Sequence, residues 1–190
     1  LLSWSYFATA LQGATSSIVS SQQVITKVYF PRLILPLNGV VHGLVEFAMS
    51  SVVMAGLMLY YGFPFSLRLL AIPALMFLAA MTAFGAGLWL SASNALYRDI
   101  REGTPFLIQI LMFATVIFPA KAAAENIRFL LGFNPMTTVI EGSRWAILGD
   151  AWQKGFPTDV LWQGLLIAFL LVVTGLMYFR RVEDVIVDVV

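Results

Sequence analysis

The chain has 190 residues, of which 60% are hydrophobic and only 11% charged, with a formal net charge of +1 and a mean hydropathy of +0.88. Because soluble domains carry about 25% charged residues, this composition excludes a water-soluble globule and predicts an integral membrane protein. The scattered single cations exclude a nucleic-acid site. Cysteine is absent and His42 is the only histidine, which excludes disulfides, thiolate metal sites and multi-histidine metal sites.

Five apolar segments are predicted to be membrane-spanning helices, each of which needs about 20 mostly apolar residues. They are residues 1–17, 33–61, 69–92, 105–120 and 160–179. The first has neither a basic n-region nor a small-residue cleavage site, so we expect a span that lacks its beginning and not a signal peptide. The fourth covers only about 24 Å of a roughly 30 Å hydrocarbon core. The fold class is therefore an all-α polytopic membrane protein with one domain, residues 1–190.

Residues 20–30 are predicted to form a short amphipathic helix between the first two spans. Its apolar face holds Val24, Ile25, Val28 and Tyr29, and its polar face holds Gln22, Gln23, Thr26 and Lys27. Two roles remain open on pattern alone, an interfacial turn or a docking surface for a partner. Pro31 ends this helix, since proline disfavours helical geometry at Phe30 and offers no N–H. The cations Lys27 and Arg32 favour the cytoplasmic side for this loop. The same rule places loop 93–104, with Arg98 and Arg101, and loop 180–190, with Arg180 and Arg181, in the cytoplasm.

The second span contains "GVVHGLVEF". Gly39 and Gly43 form a G-x-x-x-G face that lets helix backbones approach closely. His42 and Glu46 are functional candidates, because ionisable residues inside a membrane are costly unless paired or wet. They indicate either a proton relay or, more simply, a structural hydrogen bond between the two side chains or between helices.

No catalytic set is visible in the chain. "GAGLWL" at 85–90 lies inside an apolar span, so its glycines are predicted to serve helix packing. There is no G-x-x-x-x-G-K-[ST] loop for phosphate and no nucleophile elbow around any serine. Tyr97, Arg98 and Asp99 belong to a charged loop that pattern alone predicts to be a solvated turn, with Pro105 starting the next helix.

Residues 121–149 are predicted to form two short helices, on or partly in the membrane, joined at 132–135. Asn134 is an expected N-cap with Pro135 at the first helical position. Glu141 and Arg144 are spaced to pair on one helical face, and Gly149 is an expected stop. The alternative is an ordinary extramembrane loop.

The ordered set of stretches resembles one known family. "KVYFPRLILPL", "EF", "YYG", "GAGLWLSASNALYRDIREGTPFLIQ", "NPMTTVIEGSRWAILG" and "YFRRVED" together resemble the membrane permeases of polysaccharide-export ATP-binding-cassette (ABC) transporters, which move O-antigen, capsular or teichoic-acid polymers. The resemblance covers essentially residues 12–188. Two departures concern the end of the fourth segment. "ATVIFPA" replaces the family's "SPV.Y", and "KAAAEN" lacks the further prolines usual there.

The resemblance implies a six-span fold of which this chain holds spans two to six. It implies a cytoplasmic coupling helix at 20–30, docking on an ATPase through Gln22, Gln23, Lys27, Tyr29, Phe30, Pro31 and Arg32. It implies an outer gate of two short helices with Asn134, Pro135, Met136, Glu141 and Arg144. Tyr97, Arg98 and Asp99 are expected to brace the cytoplasmic ends of spans four and five, and Gly39, Gly43, His42 and Glu46 to serve intramembrane packing and polar contacts.

The function implied is export of a lipid-linked polysaccharide across the bacterial cytoplasmic (inner) membrane, through a channel at a homodimer interface. The expected partners are a separate ATPase subunit, which binds ATP and Mg²⁺, a second copy of the chain, the glycan substrate and membrane lipids, but no nucleic acid. The chain itself is expected to bind no cofactor or metal and to catalyse no reaction. Two alternatives stay open: an ABC exporter of a drug or small lipid, and a proton-coupled carrier that uses His42 and Glu46.

Overall fold

The computed structural model describes residues 1–21, 31–63, 65–97, 99–117, 131–149, 155–156 and 158–189, with 117, 159 and 184–189 described by their backbone alone. These residues are almost entirely helical. The helices are α1 (Leu2–Ser20), α2 (Ile34–Tyr60), α3 (Ala71–Leu96), α4 (Asp99–Met112), α5 (Pro135–Leu148) and α6 (Thr158–Val189). A 3₁₀ turn, Leu67–Leu70, leads into α3, and a π-helical turn, Phe113–Ile117, ends α4.

Within the described ranges, three helical stretches are long and apolar enough to cross a membrane: Ile34–Tyr60, Leu67–Leu96 and Val160–Glu183. They agree with the second, third and fifth predicted spans. The 19-residue α1 is about as long as a span, but it carries five serines, two threonines and a glutamine, which lower its hydropathy. The complete count of five spans therefore stays a prediction for α1 and α4.

Two predicted boundaries were wrong. The fourth helix begins at Asp99 and not at Pro105, which lies inside it. Asp99 and Glu102 occupy the first turn, where carboxylates interact favourably with the helix dipole, and the Thr104 hydroxyl donates to the Ile100 carbonyl at 2.7 Å. The last helix continues to Val189 instead of becoming a loop after residue 179. Residues 180–189 contain no Gly or Pro that would end it.

Helix α3 is the centre of the bundle and packs at backbone distance against α6 on one side and α1 on another. A Cβ added to Gly85 would lie 2.7 Å from the Leu171 carbonyl carbon, and one added to Gly175 would lie 2.7 Å from the Gly85 oxygen. On the other side, a Cβ on Gly87 would lie 2.6 Å from that of Ala14. The predicted packing role of the "GAGLWL" glycines is thus confirmed.

Helix α2 packs against α1 along its glycine face. A Cβ on Gly39 would lie 2.6 Å from the Gly13 carbonyl carbon, and one on Gly43 would lie 3.2 Å from the Tyr6 ring. The Tyr6 hydroxyl also donates to the Val40 carbonyl at 3.4 Å. The rest of α2 is largely exposed, including Val41, Val45 and Val52, as expected of a helix at the lipid boundary.

The replacement Gly85→Ala should destabilise the full-length protein, because the added methyl meets α6 backbone that cannot rotate away. Overpacking of this kind costs about 1–3 kcal/mol. The matched control is Gly56→Ala on α2, where an added Cβ meets nothing within 4 Å. Thermal unfolding in detergent, followed by tryptophan fluorescence, should give a lower midpoint for Gly85→Ala than for the control. Equal midpoints would contradict the close α3–α6 packing.

Candidate functional site

Helix α5 begins with a side-chain cap that also reaches another helix. The Asn134 Oδ1 accepts from the Met136 backbone N–H at 3.0 Å, and Pro135 occupies the first helical position. The other end of the same amide, Nδ2, donates to the Thr115 hydroxyl at 2.8 Å. Thr115 lies in the π-turn and donates in turn to the Leu111 carbonyl at 2.7 Å. One asparagine therefore both starts α5 and connects it to the end of α4.

A largely buried ion pair makes the second connection between the same two elements. The Arg144 Nη1 lies 3.0 Å from the Glu141 Oε1, and the two side chains are 23% and 4% exposed. The Arg144 Nη2 donates to the Val116 carbonyl in the π-turn at 2.6 Å. Charge-assisted hydrogen bonds are the stronger ones in proteins, so Arg144 holds the π-turn against α5. These residues and Asn134 with Thr115 are called the polar junction below.

The remaining contacts of α5 fix it inside the bundle. The Thr138 hydroxyl donates to the Val160 carbonyl of α6 at 2.7 Å, and the Ser143 and Ser3 hydroxyls lie 3.1 Å apart, which links α5 to α1. Met136 and Val139 are fully buried. The second predicted short helix is therefore present, with its predicted cap and its predicted stop at Gly149. It is largely buried against the other helices, and its predicted position on or partly in the membrane stays a prediction. The first predicted short helix lies outside the described residues, apart from 131–132.

The residues predicted for coupling are only partly described. Gln22, Gln23, Lys27, Tyr29 and Phe30 lie outside the described residues. Pro31 is exposed. Arg32 joins the start of α2 to α6, because its Nη1 donates to the Glu183 carbonyl oxygen at 2.6 Å and lies 3.9 Å from the Glu183 Oε1.

The residues predicted as a loop brace lie where α3 meets α4. Tyr97 is the C-cap of α3, with its backbone N–H donating to Ser93, and Asp99 opens α4. Both side chains are exposed, and Arg98 lies outside the described residues. The bracing role stays a prediction.

His42 and Glu46 do not form the predicted structural hydrogen bond. Both side chains are exposed, and within the described ranges neither donates to nor accepts from another side chain. Gly39 and Gly43 lie at the α1 contact described above. The structure thus separates the glycine face, which packs, from the ionisable pair, which faces outward.

Several partners in the site could not be found from the sequence. Thr115, Val116 and Glu183 give no signal of their own, because each is met by a side chain distant in sequence. Val116 and Glu183 accept through their backbone carbonyls, and Thr115 accepts through its hydroxyl. A further contact of α5 is Arg68, whose guanidinium lies 5.5 Å from the centre of the Trp145 ring. Among the described residues, no three His, Asp or Glu side chains come together as a possible metal site.

Comparison with known proteins gives three informative relatives. Two are named "O-antigen export system permease protein RfbA" from Klebsiella pneumoniae, 24% and 22% identical over 185 residues, and each match covers 96% of this chain and 70% of the relative. A protein of the same name from Myxococcus xanthus is 30% identical over 143 residues, covering 74% of this chain and 55% of the relative. No family model matches the chain. The matches confirm the predicted resemblance to polysaccharide-export permeases.

The replacement Arg144→Met should destabilise the protein by roughly 3 kcal/mol, the lower end of the range for breaking a buried ion pair. It removes the ion-pair partner of Glu141 and the donor to Val116 together. The matched control is Arg180→Met on the exposed surface of α6. In a double-mutant cycle with Glu141→Gln, the stability lost by the double variant should be smaller than the sum of the two single losses, since the residues share one interaction. Strict additivity, measured by thermal unfolding in detergent, would contradict a coupled pair.

Proposed function

The chain is related to the O-antigen export permeases of ABC transporters, and we propose that it is the transmembrane subunit of an ATP-driven polysaccharide exporter. Two copies form a channel at their interface in the bacterial inner membrane. A separate ATPase subunit, which binds ATP and Mg²⁺, associates with each copy. The cargo is a lipid-linked glycan. The observation that carries this proposal is the similarity to proteins with that printed name along 96% of the chain. The three apolar helices support it.

In this proposal, residues 20–30 dock on the ATPase and pass its closure to α2. The contact of Arg32 with Glu183 supports such a role, because a movement at the start of α2 would be shared with the end of α6. Pro31 separates the docking segment from α2 and provides a rigid joint between them. Tyr29, Phe30 and Arg32 are the residues that we assign to coupling.

The outer gate is assigned to α5 and the π-turn. Asn134 and Arg144 join the two by direct hydrogen bonds, so these elements would move as one unit or separate only after those bonds break. Single π-turns inside α-helices are frequent at functional sites. Glu141, Pro135 and Met136 keep the geometry of α5 that this contact requires.

A proton-coupled carrier is the less favoured alternative. A relay needs a succession of ionisable groups across the membrane, but α1 and α3 contain no Asp, Glu, His, Lys or Arg. Beyond Glu46 a proton would have no further such group on those neighbouring helices. The exporter needs no relay, because its energy comes from ATP.

The full-length protein should co-purify with an ATPase, and the complex should hydrolyse ATP faster when a lipid-linked glycan is supplied. A protonophore should leave this stimulation unchanged. If the chain associates with no ATPase, the proposed function is wrong. Stimulation by a small lipid or a drug, with none by the glycan, would instead identify an exporter of smaller cargo.

A further inference from the structure

One side of α1 and α2 carries a row of polar side chains, with exposed Val45 and Met49 beside it on α2, although both helices belong to the membrane-embedded bundle. The row consists of Ser5, Thr9 and Gln12 on α1 and Asn38, His42 and Glu46 on α2, which we call the polar stripe. On each helix these residues recur at three- or four-residue spacing and therefore share a side. Thr9 is half-buried and the others are exposed. Glu46 lies one residue from the middle of the 27-residue α2, the place where an unpaired charge facing lipid is most costly.

The contacts between the helices place the two halves of the stripe beside each other. Gly13 lies against Gly39, and Gly43 lies against Ala10 and Tyr6, so α1 and α2 run antiparallel. Moving one residue forward along α1 therefore corresponds in height to moving one residue back along α2. Ser5, Thr9 and Gln12 consequently lie at about the heights of Glu46, His42 and Asn38.

The stripe faces away from the rest of the described bundle. Ala14 of α1 contacts Gly87 of α3, and Phe47 and Ser51 of α2 line, with Ile72, a cavity of about 330 Å³ between α2 and α3. Helix α3 therefore lies on one side of the line along which α1 and α2 meet. The polar stripe lies on the other side of that line.

Neither lipid nor a packed protein interface fits this surface well. Lipid would meet exposed His42 and Glu46 near the bilayer centre, whereas α2 already has a separate exposed apolar side at Leu44 and Ala48. The cores of protein interfaces are depleted of charged residues and enriched in aromatic ones, but the stripe has no aromatic residue. Ionisable residues inside membranes almost always face the bundle interior or a water-filled cavity.

We propose that the polar stripe is a hydrated wall of the translocation path and that it contacts the sugar part of the cargo. Its hydroxyl, amide and imidazole groups both donate and accept hydrogen bonds, as the hydroxyls of a sugar chain do. It carries one carboxylate and no Lys or Arg, so it suits an uncharged glycan segment and not an anionic lipid headgroup. Only the identity of the occupant rests on the proposed function; the hydration of the stripe does not.

Single cysteines test the hydration directly, because this sequence contains none of its own. Ser5→Cys, His42→Cys and Glu46→Cys are compared with Leu44→Cys and Ala48→Cys on the apolar side of α2, in the full-length protein in membranes with any other cysteines removed. The probe is a membrane-impermeant sulfonated methanethiosulfonate. Stripe positions should react on the order of tenfold faster or more, because the reactive thiolate does not form in an apolar environment.

Rates at the stripe equal to those at Leu44 and Ala48 would overturn the proposal. So would a spontaneous disulfide between two copies at residue 42 or 46, which would show that the stripe packs against a second copy. Both results can be read without any transport, so they are independent of the proposed function.

The occupant is tested with the same variants reconstituted with the ATPase and a lipid-linked glycan. Labelling of the stripe should slow several-fold when glycan and ATP are both present, and should return to its initial rate when an inactive ATPase is used. Fast labelling that glycan never slows would overturn the glycan contact. Slowing by a glycan-free lipid carrier alone would assign the stripe to the carrier and likewise overturn it.

Discussion

The close approach of α3 to its neighbours determines how the bundle is arranged. Lipid tails are as apolar as leucine side chains, so helices in a membrane associate through van der Waals contact and hydrogen bonds, and small residues permit the necessary approach. Gly85 and Gly175 provide it between α3 and α6, and Gly87 with Ala14 between α3 and α1. With these contacts formed, α5 has a fixed surface to pack on, as the burial of Met136 and Val139 shows.

Hydrogen bonds connect α5 to its neighbours. Asn134 and Arg144 connect α5 to the π-turn, and Thr138 connects α5 to α6. A polar group that loses its hydrogen-bond partner in apolar surroundings costs free energy. These contacts therefore favour one arrangement strongly over intermediate ones. A gate built in this way would switch between discrete states, which agrees with the role proposed for α5.

Much of this organisation could be predicted from local sequence. Apolar segment length gave α2, α3 and the core of α6, and Asn134-Pro135 with Gly149 gave both ends of α5. The start of α4 was missed because Pro105 resembles a first-turn proline, while the carboxylates of Asp99 and Glu102 allow an earlier start. The extension of α6 was missed because its last turns leave the apolar run. The partners of Asn134, Arg144 and Arg32 depend on how distant helices pack, which a single sequence does not reveal.

The polar stripe shows the same division between local and distant information. The sequence singled out His42 and Glu46, but it favoured a hydrogen bond that the structure replaces with two exposed side chains. The serines and threonines of α1 give no such signal, since each alone is ordinary in a membrane helix. Only the antiparallel contact of Gly13 with Gly39 brings them level with the ionisable pair.

Glycan movement across a membrane tests the proposed exporter most directly. The full-length permease and its ATPase are reconstituted in vesicles with a fluorescent lipid-linked glycan, and its appearance on the opposite side is followed with an impermeant quencher. The proposed exporter should translocate the glycan with ATP and should not do so with a non-hydrolysable analogue or an inactive ATPase. Translocation driven by a proton gradient without ATP would contradict this proposal.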